Sequence, residues 1–507
     1  MSLKPRRVVL ALYEFDNWVV LFDRRNTVGG RNMLKIGNWR TVGGLGESRT
    51  SLPLAVRVGR YARVLFLGGI LLSGVDGDAA AQTALENAAE NPQQLSVATN
   101  IVDICPQLAA LGGFSLSGDQ GDLFSRCNGA IVLAKSGQTN TAASALDQIA
   151  AEEIIAQESL VNGTIAPQTR AIAARVAALG GSRGLVGIAN AQPKSDEPIL
   201  LASTDPWQVI AENSTISAHH FSGLGAFVTG SYAFGDRDET ALEAGFDFND
   251  YSITAGVDYF ILDNLAVGLG FGYTVSDIDY DANAGGLDAD AYAISVYSIW
   301  NPIEPLGVSG FVSYGMVDFE SERILNYTDP NGVVNRKITG DTDADQIEAT
   351  GNIYYDFSSG PWTFGPTGRI SYLRMDIDGF TEEGGQGLDL VFEDQDAESF
   401  KTALGGAVSY SISTSFGVAL LQARAEWVHE FLDDSRTISL RYENDPFPNS
   451  PIITLTTEDP DRDRGLVGGS ASFVFQGGVS AFADFETVVG LEDVTSYTVT
   501  VGLRMEF

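Results

Sequence analysis

Hydrophobic and polar side chains alternate one for one along residues 497–507 (YTVTVGLRMEF). Tyr497, Val499, Val501, Leu503, Met505 and Phe507 share one face of an extended strand, and Thr498, Thr500, Gly502, Arg504 and Glu506 share the other, because successive side chains point to opposite sides. The same period of two returns in Leu265, Val267, Leu269, Phe271 and Tyr273 against Ala266, Gly268, Gly270, Gly272 and Thr274. From Gly223 onward the pattern predicts twelve strands, centred near residues 229, 255, 270, 295, 312, 350, 368, 404, 423, 470, 483 and 501. Short connections (262–264, 301–305, 358–361, 413–415, 476–478) alternate with long ones (235–250, 277–288, 321–343, 376–396, 433–463, 490–495). An even-stranded transmembrane barrel, with tight turns on one side and long loops on the other, produces this alternation, and a soluble β-sandwich has no reason to. Hydrocarbon then faces the apolar positions, and closure leaves no unpaired strand edge in the membrane.

Aromatic residues Tyr251, Tyr292, Trp300, Trp362, Trp427 and Phe507 are expected near strand ends, at the membrane interfaces. The inward set includes Asp258, Arg369, Arg424, Glu426, Glu430, Arg504 and Glu506, mixed charges suited to a wet lumen or to pairing across it.

Upstream the period changes to 3.6. Residues 82–181 are rich in Ala and predict a small helical bundle. Asn91-Pro92 opens a first helix running toward Leu111 with a kink before Pro106, a second spans Gln120 to Lys135, a third Ala142 to Leu160, and a fourth runs from Pro167 to Leu179. The two cysteines, Cys105 and Cys127, both fall in this bundle. In an oxidising compartment they form a disulfide, and closing a loop of about 23 residues is worth about 3 kcal/mol. Residues 182–221 read as a linker. The longest apolar run, Val64 to Val75, follows Arg57, Arg60 and Arg63 and leads to Ala79-Ala80-Ala81, so residues 57–81 are expected to be a signal peptide preceded by a leader, 1–56.

A net charge of −35 excludes a nucleic-acid partner on electrostatic grounds. No nucleophile elbow, zinc-protease histidine pair or phosphate loop is present, so neither an enzyme nor a cofactor is expected, and His219, His220 and His429 are assigned structural roles. Acidic clusters such as Asp277, Asp279, Asp281 and Asp288 lack the register and closing Glu of a calcium loop, so no metal site is expected.

Residues 222–507 resemble the autotransporter (type V secretion) β-domain family. The resemblance is carried in order by FGDRDE (234–239), GFDF (245–248), GVDY (256–259), DNLAVGLGFGY (263–273), GFTEEG (379–384), WVHEF (427–431) and the closing YTVTVGLRMEF. It implies an outer-membrane barrel, monomeric and escorted by periplasmic chaperones, that the barrel-assembly machinery recognises through the last strand, with Phe507 as its end. It also implies contact with lipid and lipopolysaccharide, and passage of an N-terminal segment through the lumen. The helical region with Cys105 and Cys127 is similar to the two-cysteine region ahead of the barrel in some members. Members that cut themselves use adjacent asparagines, which this sequence lacks; Asn213 stands alone. The expected function is a translocator that holds or exports its own helical segment. The alternative is a pore or adhesion barrel whose helical segment is periplasmic or plugs the lumen.

Overall fold

The computed structural model describes residues 13–15, 18–20, 84–157, 171, 172, 175, 223–475 and 477–507. The chain divides into two units, Met1–Leu71 and Leu72–Phe507. In the first, Tyr13–Phe15 and Trp18–Val20 pair as a short antiparallel hairpin. The expected signal peptide at 57–81 and linker at 182–221 lie outside the described residues, as does most of the leader.

The second unit contains a closed barrel of twelve antiparallel strands. They are β1 (Leu224–Arg237), β2 (Phe246–Leu262), β3 (Leu265–Tyr280) and β4 (Gly285–Ile303), then β5 (Leu306–Asp329), β6 (Gly332–Tyr355), β7 (Trp362–Ile377) and β8 (Gln395–Thr414). The last four are β9 (Gly417–Glu430), β10 (Asp463–Phe475), β11 (Val479–Val489) and β12 (Val494–Glu506). Each strand pairs with its successor, and β12 returns to β1 with Glu506 opposite Gly225 and Tyr497 opposite Phe234. Every one of the twelve strands expected from the alternation is present.

The outward face is apolar. Leu269, Phe271, Ile294, Val296 and Leu404 are exposed on it, as are Tyr497, Val499, Val501, Leu503, Met505 and Phe507. Hydroxyl residues such as Thr254, Thr274, Ser276, Ser295 and Ser313 are buried in the interior.

The connections need correction. Residues 321–343 are not a long loop: β5 and β6 run 24 residues each and turn tightly, with Asp329 opposite Gly332. Twenty-four residues extend for about 80 Å, whereas about 9 to 11 tilted residues cross a bilayer, so this hairpin stands well beyond the membrane. Likewise β3 runs on to Tyr280 and β4 starts at Gly285, which shrinks the loop expected at 277–288. Tyr251 and Tyr292 consequently lie inside strands rather than at their ends. Charged residues alternating on both faces above the membrane still permit a β-ladder, which apolar patterning alone does not reveal.

Among the described residues, three helices with both ends defined lie ahead of the barrel: α1 (Pro92–Leu111), α2 (Gly118–Lys135) and α3 (Thr139–Ala150). Asn91 caps α1, its side chain accepting from the Gln94 N–H at 2.8 Å, with Pro92 at the first helical position where no N–H partner is needed. Pro106 is accommodated within α1, which ends at Gly112 with φ 145°, a conformation suited to glycine. The third helix is shorter than expected. Ala151 adopts φ 56° and ends it, and Glu152–Ile155 continue as a 3-10 turn. Of the expected fourth helix only Ala171, Ile172 and Arg175 are described, and they are helical.

Candidate functional site: the lumen and its cap

The helices sit on the long-loop end of the barrel and share a core with it. Leu390–Phe392, Thr437–Tyr442 and Ile453–Thr456 form a small three-stranded sheet within segments expected to be loops. Ile101, Ile104 and Leu108 of α1, Leu123 of α2 and Leu146 of α3 belong to one buried cluster with Leu390, Phe392, Leu440, Tyr442 and Leu455 of that sheet. Removing these side chains from water is favourable in proportion to their apolar area, and here neither partner buries its own share alone.

Polar contacts fix the docking. Arg336 donates to both carboxylate oxygens of Asp122 at 2.6 and 2.7 Å, and Arg126 donates to Asp329 at 2.8 Å. Gln93 donates to the Thr456 and Leu242 carbonyls at 2.6 and 3.0 Å. Arg323, buried, forks onto Glu382 at 3.0 and 2.6 Å and donates to the Gln148 carbonyl at 2.9 Å. Burial opposes ionisation of Asp122, but Arg336 and Arg126 outweigh it and hold its carboxyl below the usual range. Cys105 and Cys127 are disulfide-bonded, with Cα atoms 5.9 Å apart, and staple α1 to α2.

From the cap the chain enters the barrel. Burial, reinforced by Asp147, pushes the Glu152 carboxyl up to about 8 at this junction. Burial, opposed by Arg323, pushes Glu153 up to about 7. Tyr280 donates to the Glu153 carbonyl at 2.7 Å, and Ala156 packs inside the wall among Phe246, Ile278, Tyr280 and Phe319. Ile172 packs further along with Phe227, Tyr297 and Phe311.

Near the short-turn end, Arg175 donates to Asp258 through Nε at 2.5 Å and Nη2 at 2.6 Å. Tyr297 donates to the same carboxylate at 2.9 Å, and Arg175 Nη1 lies 3.6 Å from Glu506, beside Arg504 at 3.3 Å from that residue. Two glycines make this geometry feasible. A Cβ at Gly225 would lie 2.2 Å from Arg175, and one at Gly268 would strike the Tyr297 ring at 2.1 Å.

The expected lumen residues therefore divide into two groups. Asp258, Arg504 and Glu506 converge on Arg175. Arg369, Arg424, Glu426 and Glu430 pair within the wall: Arg369 with Glu426 at 2.7 Å, Arg424 with Asp484 at 2.6 Å and Glu486 at 2.9 Å, and Glu430 with Ser399 at 2.7 Å. Sequence reasoning missed Arg175 and Tyr297. The signal for the first was a guanidinium in an Ala-rich helical segment, with Asp258 among the inward positions of an early barrel strand to receive it.

A model of the autotransporter beta-domain matches residues 226–486. The chain belongs to this autotransporter beta-domain family. It is 24% identical over 299 residues to Esterase EstA of Pseudomonas aeruginosa, and equally to that of Pseudomonas putida. The match takes in 55% of this chain, and the chain spans only 42% of the length of these relatives. Among solved structures, the chain is similar to the translocator domain of autotransporter NalP from Neisseria meningitidis. That match has a TM-score of 0.45 and 16% identity, over 57% of this chain and 90% of that one. The beta domain of the Bordetella autotransporter Brka matches with a TM-score of 0.41 and 14% identity, over 56% of this chain and all of that one (100%). The family places the autotransporter barrel of this chain in the outer membrane.

Proposed function

We propose that the barrel carries its own helical segment, 84–157, across the outer membrane and keeps it at the cell surface as a lid on its mouth. The observation that carries this reading is the course of the chain. It leaves a cap docked on the long-loop end, enters the lumen at Ala156 and reaches Arg175 beside Gly225 and Glu506, where the barrel's first and last strands lie together. Short turns of such barrels face the periplasm and long loops face outward, so this course runs from surface to periplasm. As partners we propose barrel-assembly machinery engaging β12, periplasmic chaperones before insertion, and lipid and lipopolysaccharide around a single barrel.

We infer that the barrel serves as a carrier rather than as a catalyst. His429 bonds Asp463 at 2.8 Å, and Trp427 shares that carboxylate at 3.0 Å. Among the described residues no serine hydroxyl completes a hydrolytic set around it, and no group of His, Cys, Asp and Glu is arranged to hold a metal.

The test is protease shaving of intact cells carrying an epitope at Gly137, an exposed turn with nothing within 4 Å of a side chain placed there. Loss of the epitope, with a periplasmic marker intact, supports export. Protection with the barrel correctly inserted would favour the pore or plug alternative.

A further inference from the structure

The lumenal wall treats the chain inside it in two ways. On β1–β5 it grips: Ile172 packs against Phe227, Tyr297 and Phe311, and Arg175 and Asp258 are 1% and 0% exposed. On β7–β11 it keeps its charges to itself. Arg369 pairs with Glu426, and Arg424 with Asp484 and Glu486, and these five side chains remain between 12% and 28% exposed.

Glycines serve the two faces differently. Gly225 makes room for Arg175, a side chain of the lumenal segment. Gly468 and Gly405 instead let charges of the wall lie flat against it: a Cβ at Gly468 would fall 2.7 Å from the guanidinium carbon of Arg424, and one at Gly405 would fall 2.8 Å from Glu426 Cγ. Next to these pairs Gln422 stands opposite Ser470, both half-buried and polar. Residues 84–157 hold eight Asp and Glu against two Lys and Arg, a net charge of −6. A bare arginine would catch such a chain, whereas one already neutralised by a wall carboxylate exerts little pull on it.

We propose that the lumen has two tracks: β1–β5 anchors the segment around Arg175, and β7–β11 is the surface along which the acidic residues 84–157 slide on their way out. The proposal rests on the export reading above, in which the upstream chain passes a segment held at Asp258. The pairing of Arg369 with Glu426 and of Arg424 with Asp484 and Glu486 then has a purpose besides stability. It hides two guanidinium groups from a passing acidic chain that would otherwise pause on them.

The test is pulse-chase photo-crosslinking in cells making the full chain with the epitope at Gly137. A benzoylphenylalanine in place of Gln422 is expected to capture residues 84–157 early in the chase and to lose them as the epitope becomes sensitive to external protease. The same group in place of Phe311 is expected to capture the segment around Ile172 and to keep it. Glu426→Gln bares Arg369 and should slow clearance from position 422 about fivefold, the effect of one partly exposed charge pair. Arg369→Gln leaves a carboxylate that repels the acidic chain and should not slow it, and Arg369→Gln/Glu426→Gln should clear at the wild-type rate. The heat-modifiable band shift checks that each barrel has assembled. Surface exposure of the epitope without capture at position 422, or equal clearance in all four proteins, would overturn the proposal. An epitope that never reaches the surface in the wild type would overturn the export reading itself, and this proposal with it.

Discussion

Arg175 grips Asp258 with two hydrogen bonds, at 2.5 and 2.6 Å, and the two side chains are 1% and 0% exposed. A bidentate guanidinium–carboxylate pair fixes orientation as well as charge. Removing one partner leaves the other charge buried and uncompensated, at a cost of about 3–5 kcal/mol. Asp258→Ala is therefore expected to loosen the lumenal segment and raise single-channel conductance in planar bilayers. The double variant Arg175→Met/Asp258→Leu should restore closure in part, because it removes both charges. Unchanged conductance in Asp258→Ala would show that this pair does not hold the lumen shut.

Reducing the Cys105–Cys127 bond acts on the cap alone. The loop it closes is worth about 3 kcal/mol to a bundle with a small core of its own. Cys105→Ser/Cys127→Ser should speed proteolysis of residues 84–157 while the heat-modifiable band shift of the barrel on gels stays as in the wild type.

The cap is expected to loosen in alkali. Glu152 and Glu153 titrate near 4.5 in an unfolded chain and are pushed up to about 8 and about 7 on folding. Raised carboxyls contribute stability that is full below their unfolded value and is lost as pH rises through the folded ones. Asp147, Glu239 and Glu382 face them with like charge, and Arg323 opposes at Glu153. Asp122, held low by Arg336, has the opposite sign and loses its contribution in acid below 3.8. Cap protection in hydrogen exchange should therefore be greatest near about pH 4 and fall between about pH 5 and 8. Glu152→Gln should flatten the alkaline limb.

The two faces of a strand should respond differently to charge. Leu269→Arg places a cation against hydrocarbon, at about 2–4 kcal/mol in insertion stability, whereas Ser295→Asn inside the lumen should fold near normally. Refolding yield into lipid vesicles distinguishes them.

Much of the barrel was legible because hydrocarbon and water impose period two on strands such as Leu265–Tyr273. Above the membrane that contrast vanishes. Asp341, Asp343 and Asp345 alternate with Thr342 and Ala344, a polar run that reads as loop although it lies in β6. The cap's docking sheet did leave a trace, since Ile438, Leu440 and Tyr442 alternate with Thr437, Ser439 and Arg441, and Leu390 and Phe392 flank Val391. Those runs are short and sit inside segments whose length marked them as connections. The grip on Asp258 was beyond periodicity, because it joins residues 83 positions apart through one side chain. The cysteine pair was easier, since no other thiol competes for either partner.

The core shared between α1–α3 and the outer sheet limits how this barrel can be adapted for displaying foreign cargo. Replacing residues 84–157 outright would strip Leu390, Phe392, Leu440, Tyr442 and Leu455 of their cover and leave a sticky apolar platform above the membrane. Cargo spliced into the 136–138 turn, with the helices kept, leaves that platform sealed.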